Sequence, residues 1–344
     1  MKYSMFAGRL LIVQLALFSG AAMAGKDGVT EDAGFSADIL LAAGYIDLEN
    51  SYVAGNKLID VKNNTISGYG SPKAESDTFP FFTGVVNYTF DNRLQAYFGS
   101  DLQDLATLDL AQNLGIRKQW DGVGVMGGSL LLSGIPGEVW EDPYLLNSPR
   151  RDTDRDSTGI EFDWWRILDS NFFLELSARD IDIKNETSGS AINYNNVVCY
   201  DACRSLLRRD GTDTRLTLGY RWKNGSSVWQ PEITAGKDDR DGNAISRDLI
   251  DLKLSYSYIG DVWMTVASVA YTDSQYDKPN PIFNQRTDSD GFAASISLLR
   301  KLELGDGNWS VVGNVIASNT DSKVNFNDSS VLGVFAGVNY AFGK

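Results

Sequence analysis

The sequence contains no histidine, only two cysteines and only eight prolines in 344 residues. Imidazole is the side chain that titrates near neutrality. Barrel hydrolases place it beside a serine or aspartate as general acid or base. Without it that chemistry is closed to this chain, and no enzyme activity is expected. Positive charge is also short: 31 Lys and Arg stand against 45 Asp and Glu, a formal net charge of −14. Such a chain is a poor ligand for nucleic acid. Past the N-terminus no long apolar run exists, and mean hydropathy is −0.22, so helical membrane spans are excluded. No Pro/Gly-rich linker or charge block divides the chain, which reads as one domain. No cofactor motif and no metal site are expected.

The one apolar run is Leu10–Phe18 within MKYSMFAGRLLIVQLALFSGAAMA. Lys2 and Arg9 precede it and Ala22-Met23-Ala24 follows, which is the layout of a cleavable signal peptide over residues 1–24. The mature domain would then be 25–344, exported to an oxidising compartment. There Cys199 and Cys203 are expected to close a small disulfide loop. A CxxxC metal site is the weaker reading, because no further soft ligand is present.

What the mature chain does have is alternation. Segments of about ten residues alternate apolar and polar, separated by turns that are short and long in succession. Fourteen strands are expected, near 34–46, 77–90, 93–101, 108–120, 123–134, 157–168, 172–184, 213–223, 227–237, 248–259, 262–272, 290–304, 308–318 and 330–342. Twelve and sixteen are the neighbouring even counts. Asp121-Gly122 and Asn224-Gly225 mark tight hairpins, read as type I′ turns. The largest loops fall near 47–76, 135–156 and 185–212.

A soluble sandwich and a membrane barrel share this period. Four features favour the barrel: an even strand count, long loops on one side only, full charges on the polar faces, and aromatics near the short turns. The aromatic set includes Tyr88, Phe90, Trp120, Trp164, Trp165, Phe172, Phe173, Tyr220, Trp222, Trp229, Tyr256, Tyr258, Trp263 and Trp309. It reads as an interfacial girdle. The last strand, VLGVFAGVNYAFGK, would close on the first, with Tyr340 and Phe342 at the periplasmic interface. The fold class is therefore all-β: a single closed antiparallel transmembrane β-barrel.

With its signal peptide, strand pattern and aromatic last strand, the chain resembles a Gram-negative outer-membrane β-barrel protein of the monomeric porin type. The resemblance implies insertion by the barrel-assembly machinery, a place in the outer membrane, and contact with its lipid and lipopolysaccharide. One departure stands out: Gly343 and Lys344 follow Phe342, where such barrels end on the aromatic.

Fourteen strands give a barrel about 28 Å across and a bore on the order of 10–15 Å unless loops fold in. Residues 25–33 were expected to be too short to plug it. Parity places Asp38, Glu161, Asp163, Glu175, Glu232 and Asp251 on the lumen side, with Arg117, Arg179, Arg215, Arg221 and Lys253. Opposed rows of these charges would set up a transverse field, or simply brace the wall as ion pairs. Tyr97 and Trp165 also point inward and are read as wall packing before sugar platforms. Asp152, Asp154 and Asp156 mimic the start of an EF-hand loop, but Ser157 replaces the required glycine. The expected function is passive diffusion of small hydrophilic solutes, saccharides among them. The alternative is a receptor, adhesin or structural barrel acting through its loops, of which 185–212 carries Arg204, Arg208 and Arg209. A carrier for hydrophobic molecules would need an apolar lumen and an N-terminal plug, and the pattern offers neither.

Overall fold

A computed structural model describes residues 27–101, 108, 110–190, 193–194, 197–198, 201–304 and 308–343. The expected signal peptide lies outside the described residues. Fourteen long strands build the wall: β1 (Gly34–Glu49), β2 (Ala74–Thr89), β3 (Leu94–Asp101), β4 (Leu110–Trp120), β5 (Gly124–Ile135), β6 (Asp152–Trp165), β7 (Phe172–Ile183), β8 (Gly211–Tyr220), β9 (Ser227–Arg240), β10 (Arg247–Ile259), β11 (Trp263–Tyr276), β12 (Ser289–Leu302), β13 (Trp309–Ser322) and β14 (Ser329–Phe342). Each pairs antiparallel with its neighbour in sequence. The sheet closes where β14 pairs with β1, from Ala37 opposite Phe342 to Glu49 opposite Ser330. The closure leaves the first and last strands without a free edge.

Alternation fixes which way each strand faces. In β1, Phe35, Ile39, Leu41 and Tyr45 are exposed, while Asp38, Leu40, Ala42 and Ile46 between them are buried. The same inversion runs round the barrel. Phe82, Ile116, Ile160, Phe292 and Val334 all stand outward. A continuous exposed apolar band of this kind is stable against lipid and not against water.

Residues expected at the interface largely sit there. Trp229 packs on Tyr256 at 4.6 Å between ring centres, Trp309 on Tyr340 at 4.7 Å, and Phe172 on Tyr220 at 4.9 Å. Phe173 is the exception, and Trp165, which parity also places inward, turns in with it. Both turn inward and stack face to face at 4.0 Å. Each follows an outward aromatic, so one member of each pair must take the other face.

The short turns differ in type from the expectation. Asn224 pairs with Ser227, so Gly225 and Ser226 are the central pair. Only Gly225 has positive φ, at 59°. Glycine at the first central position is the II′ pattern rather than I′. Trp120 pairs with Gly124, leaving a three-residue loop in which Gly122 takes the positive φ.

Two segments fold inward. At the short-turn end, Val29 N donates to Gln119 Oε1 at 3.0 Å, and Val29 packs against Val125, Trp165 and Phe173. Asp27 pairs with Arg221 at 3.4 Å. The N-terminal segment thus lines the mouth at this end without filling the bore. Lining a rim takes only a few residues, whereas filling a bore would take many.

At the other end the first long loop turns back on the wall. Among the described residues the β2–β3 ladder covers Val85–Thr89, and β2 pairs with β1 along all its length. Loop residues also reach the upper part of β2. Asp60 N donates to Asp77 Oδ2 at 2.8 Å, and residues Val53–Asn56 pair with Gly137–Trp140 above the β5–β6 hairpin. Val53, Ile59 and Val61 join Phe79, Phe81, Leu40, Ile46, Val331 and Phe335 in one buried cluster.

Candidate pore interior and its closure

The interior has unlike walls. On β6 to β10 it is charged. Glu161, Asp163, Glu175, Arg179, Arg215, Arg221, Glu232, Asp251 and Lys253 all fall on the inward parity, as do Arg117 on β4 and Asp38 on β1. Lys253 Nζ lies 3.5 Å from Glu232, which also accepts from Gln230 Nε2 at 2.9 Å. Arg117 Nε donates to Gln95 Oε1 at 2.8 Å and its guanidinium lies 5.3 Å from the centre of the Tyr97 ring. Tyr97 and Trp165 both pack on the wall.

The densest charge cluster includes residues placed in outer loops by the sequence. Asp238 binds both Arg215 and Arg247, the latter at 2.6 Å. Arg240 binds Asp213, and Thr272 donates to Asp251. All these groups project from β8 to β11 into the outer half of the barrel. Asp238 and Arg240 lie where β9 runs three residues further than turn signals indicate, and Arg247 lies where β10 begins one residue earlier. Parity from Glu232 and Asp251 would have found them.

From β11 to β13 the wall is lined by hydroxyls and an amide. Ser268 and Ser295 hydroxyls meet at 2.8 Å, and Asn314 Nδ2 donates to Ser297 Oγ at 2.7 Å. From β12 through β14 to β2 it turns apolar: Leu299, Val312, Ile316, Phe335, Ile46, Phe79 and Phe81 are buried there. This corrects the expectation that the lumen has no apolar lining. The rings of Phe79 and Phe335 flank Gly44 in register, and a Cβ at Gly44 would lie 2.9 Å from both. No side chain fits between them.

Above the charged wall the long loops meet in a cap. Tyr144, Leu207, Val324 and Phe326 are buried, with Tyr52, Ile66, Tyr69, Ile282 and Phe283 against them. Tyr144 stacks on Phe326 at 5.6 Å. Its hydroxyl lies 3.2 Å from that of Tyr52 and accepts from Asn280 Nδ2 at 3.1 Å. Tyr69 donates to the Tyr144 carbonyl at 2.9 Å. Burial pushes the Tyr144 phenol up to about 12, and it raises Tyr52 well above its ordinary value, with the neighbouring Tyr144 adding to the effect.

Two arginines anchor the cap. Arg150 donates to the carbonyls of Ser51 at 3.0 Å, Pro143 at 3.3 Å, and Asn63, and lies over the Trp140 ring at 4.2 Å. Burial draws its pKa down to about 10. Arg209 pairs with buried Glu186 at 2.7 Å and donates to the Trp140 carbonyl at 2.6 Å. The 185–212 loop is therefore folded against the mouth. Its arginines are engaged: Arg204 with Asp201 at 3.7 Å and Arg208 with Asp210 at 2.9 Å. Cys203 packs against the cap, while Cys199 lies outside the described residues. The Asp152, Asp154 and Asp156 run is part of β6 and not a loop. Extended backbone sets the three residues along the outer face, where Lys62 reaches Asp152 at 3.1 Å and Lys184 reaches Asp154 at 3.5 Å.

Comparison with known proteins gives a family and a set of barrels. The family model described as "Protein of unknown function (DUF2860)" matches residues 34–341. No curated protein matches the chain. Among solved structures it is similar to outer-membrane OmpT of Vibrio cholerae, at 10% identity and a TM-score of 0.40 over 91% of this chain and 100% of that one. It is similar to the outer membrane channel DcaP of Acinetobacter baumannii, at 8% identity and 0.41 over 90% and 98%. A third is an anion-selective porin from Comamonas acidovorans, at 10% identity and 0.39 over 90% and 99%.

Proposed function

We propose that this chain, which belongs to the family described as "Protein of unknown function (DUF2860)", is an outer-membrane pore for small hydrophilic solutes, closed at its outer mouth by the loop cap. The observation that carries this reading is the charged wall. A barrel that served only as an anchor could fill its centre with apolar side chains. Here Glu232, Lys253, Asp251, Asp213, Asp238, Arg215, Arg240 and Arg247 project inward instead. Ionised groups hold their charge where water or polar solutes reach them. The hydroxyl lane beside them supplies neutral donors and acceptors that suit sugars among other solutes. In this reading the long loops face outward, the Asp27–Arg221 contact lies at the periplasmic mouth, and the outer face meets lipid and lipopolysaccharide. Tyr340 and Phe342 serve as the assembly strand for the barrel-assembly machinery, a leader over 1–24 directs export, and Cys199 pairs with Cys203 to staple the loop that carries Arg209.

Swelling of liposomes in neutral sugars of increasing size tests the proposal. Entry of small sugars with a sharp size cut-off is expected. Exclusion of every sugar and every ion by folded protein would overturn it. The ordered cap favours one second reading, a surface protein acting through its loops. Binding of a macromolecule to the cap in a barrel that passes nothing would support that alternative.

A further inference from the structure

We propose that the arginine cluster in the outer half of the lumen binds the oxyanion head of a small polyhydroxylated solute, a sugar acid or a sugar phosphate. The inference rests on the pore reading and names the solute class of its charged wall. Arg215 on β8, Arg240 on β9 and Arg247 on β10 take the inward parity of three neighbouring strands. Among them stand two carboxylates, Asp213 and Asp238, directly opposite each other in the β8–β9 register. Three guanidinium charges against two carboxylates leave one positive charge in excess. All five side chains are at most 16% exposed. A net charge that is largely buried is costly until a counterion joins it.

The excess belongs to the outer half alone. Asp163, Glu175 and Asp251 share one row across β6 to β10, running through Thr217 and Thr234. Nearer the outer mouth, the described inward residues of these strands add Arg155 and Arg179 to the three arginines, and Glu161 to the two aspartates. An anion entering from outside thus meets arginines first and carboxylates only beyond them.

Hydrogen bonding shows where the head would sit. Arg215 is fully engaged: Nη1 donates to the carbonyls of Thr214 at 2.9 Å and Lys237 at 3.1 Å, and Nη2 donates to Asp238. A Cβ at Gly236 would lie 2.7 Å from Arg215 Cδ, so the glycine lets this side chain lie along the wall. Arg240 differs. Its Nη2 donates to Asp213, but its buried Nη1 meets no acceptor among the described residues. Arg247 gives Nε to Asp238 at 2.6 Å and its face to the Tyr276 ring at 5.8 Å, which leaves its terminal amino groups for an incoming acceptor.

A carboxylate or phosphate meets both needs. It accepts from a planar fork and cancels the excess charge, whereas water does only the first. Hydroxyls lie close by. Ser274 on β11 and Ser289 on β12 are buried one row further in than Arg247, in register with Leu249. Spacings of about 5 Å per strand and about 7 Å per two residues put them within reach of the carbon chain of a small sugar acid.

Calorimetric titration of the folded barrel in neutral detergent, at fixed chloride, tests the site without requiring conduction. Gluconate and glucose 6-phosphate are the probes, with glucose and acetate as controls. Saturable binding of one probe, at least tenfold tighter than either control, is expected, and the preferred probe tells carboxylate from phosphate. Arg240→Lys keeps a charge beside Asp213 but loses the fork, and Arg247→Lys does the same beside Asp238. Each variant, shown folded by its gel shift, should bind the preferred probe at least fivefold more weakly. No saturable binding of either probe, or equal affinity in wild type and both variants, overturns the site. Acetate binding as tightly as gluconate and glucose 6-phosphate overturns the assignment to polyhydroxylated solutes. A barrel that conducts but binds neither probe fails this inference alone. One that binds a probe yet passes no ion or sugar fails the pore reading alone.

Discussion

Replacing Arg150 by alanine should open the cap while leaving the barrel intact. The guanidinium gives hydrogen bonds to three carbonyls from two loops and stacks on Trp140. A hydrogen bond from a charged donor contributes about 1.5–3 kcal/mol, and orphaned buried carbonyls cost about 1–3 kcal/mol each. A desolvated cation–π contact adds about 2 kcal/mol. Some of this is recovered when water enters the loosened loops, so a net loss of about 3–5 kcal/mol is expected for the closed cap. At 1.4 kcal/mol per tenfold, that shifts the closed-to-open ratio by at least about a hundredfold. None of these partners belongs to the transmembrane ladder. In planar bilayers the variant should dwell in conducting states that wild type visits rarely, while the heat-dependent gel shift of the folded barrel is unmoved. Arg150→Lys keeps a charge but not the fork that reaches three carbonyls, and should fall between the two. Wild-type dwell times in R150A, together with unchanged protease resistance of the loops, would refute the reasoning.

Three other outcomes follow from the same geometry. Lys253→Gln leaves Glu232 without the ammonium at 3.5 Å, so the reversal potential in a salt gradient should move toward cation preference. Gly44→Ala forces a methyl between Phe79 and Phe335, and overpacking of this kind costs about 1–3 kcal/mol, read as a lower midpoint of the gel-shift transition. In an absorbance titration, Tyr144 should ionise late, near pH 12. Burial disfavours the phenolate, so the shift is upward, and Tyr144→Phe should remove amplitude only from the late step.

Much of the wall was legible because one period governs it. Charges such as Glu175, Arg179, Arg215 and Arg221 land inside because odd positions of β7 and β8 face inward, and a one-residue slip would put them in lipid. Trp165 and Phe173 show the limit of reading by residue type. Their neighbours Trp164 and Phe172 already hold the outward positions. The apolar wall did leave a signal. Ile39–Ala43 is apolar at every position, which marks apolar surroundings on both faces, lipid outside and packed side chains inside. Phe335 likewise interrupts the small set in the last strand. Asp238, Arg240 and Arg247 were missed because strands continue above the membrane, where turn-like Asp and Arg no longer mark an end. The cap left almost no trace. Tyr52, Tyr69, Tyr144, Phe283 and Phe326 are single aromatics scattered through polar loops. Only the closed barrel brings those loops to one point, and local pattern has no access to that.

The central claim is that a charged, water-bearing path lies beneath a closed cap. Single-channel recording of wild type beside the double variant R150A with Tyr144→Ala tests it most directly. The account predicts long closed intervals in the first and sustained, ion-selective conducting steps in the second. Silence in both, with the barrel folded by its gel shift, would contradict it.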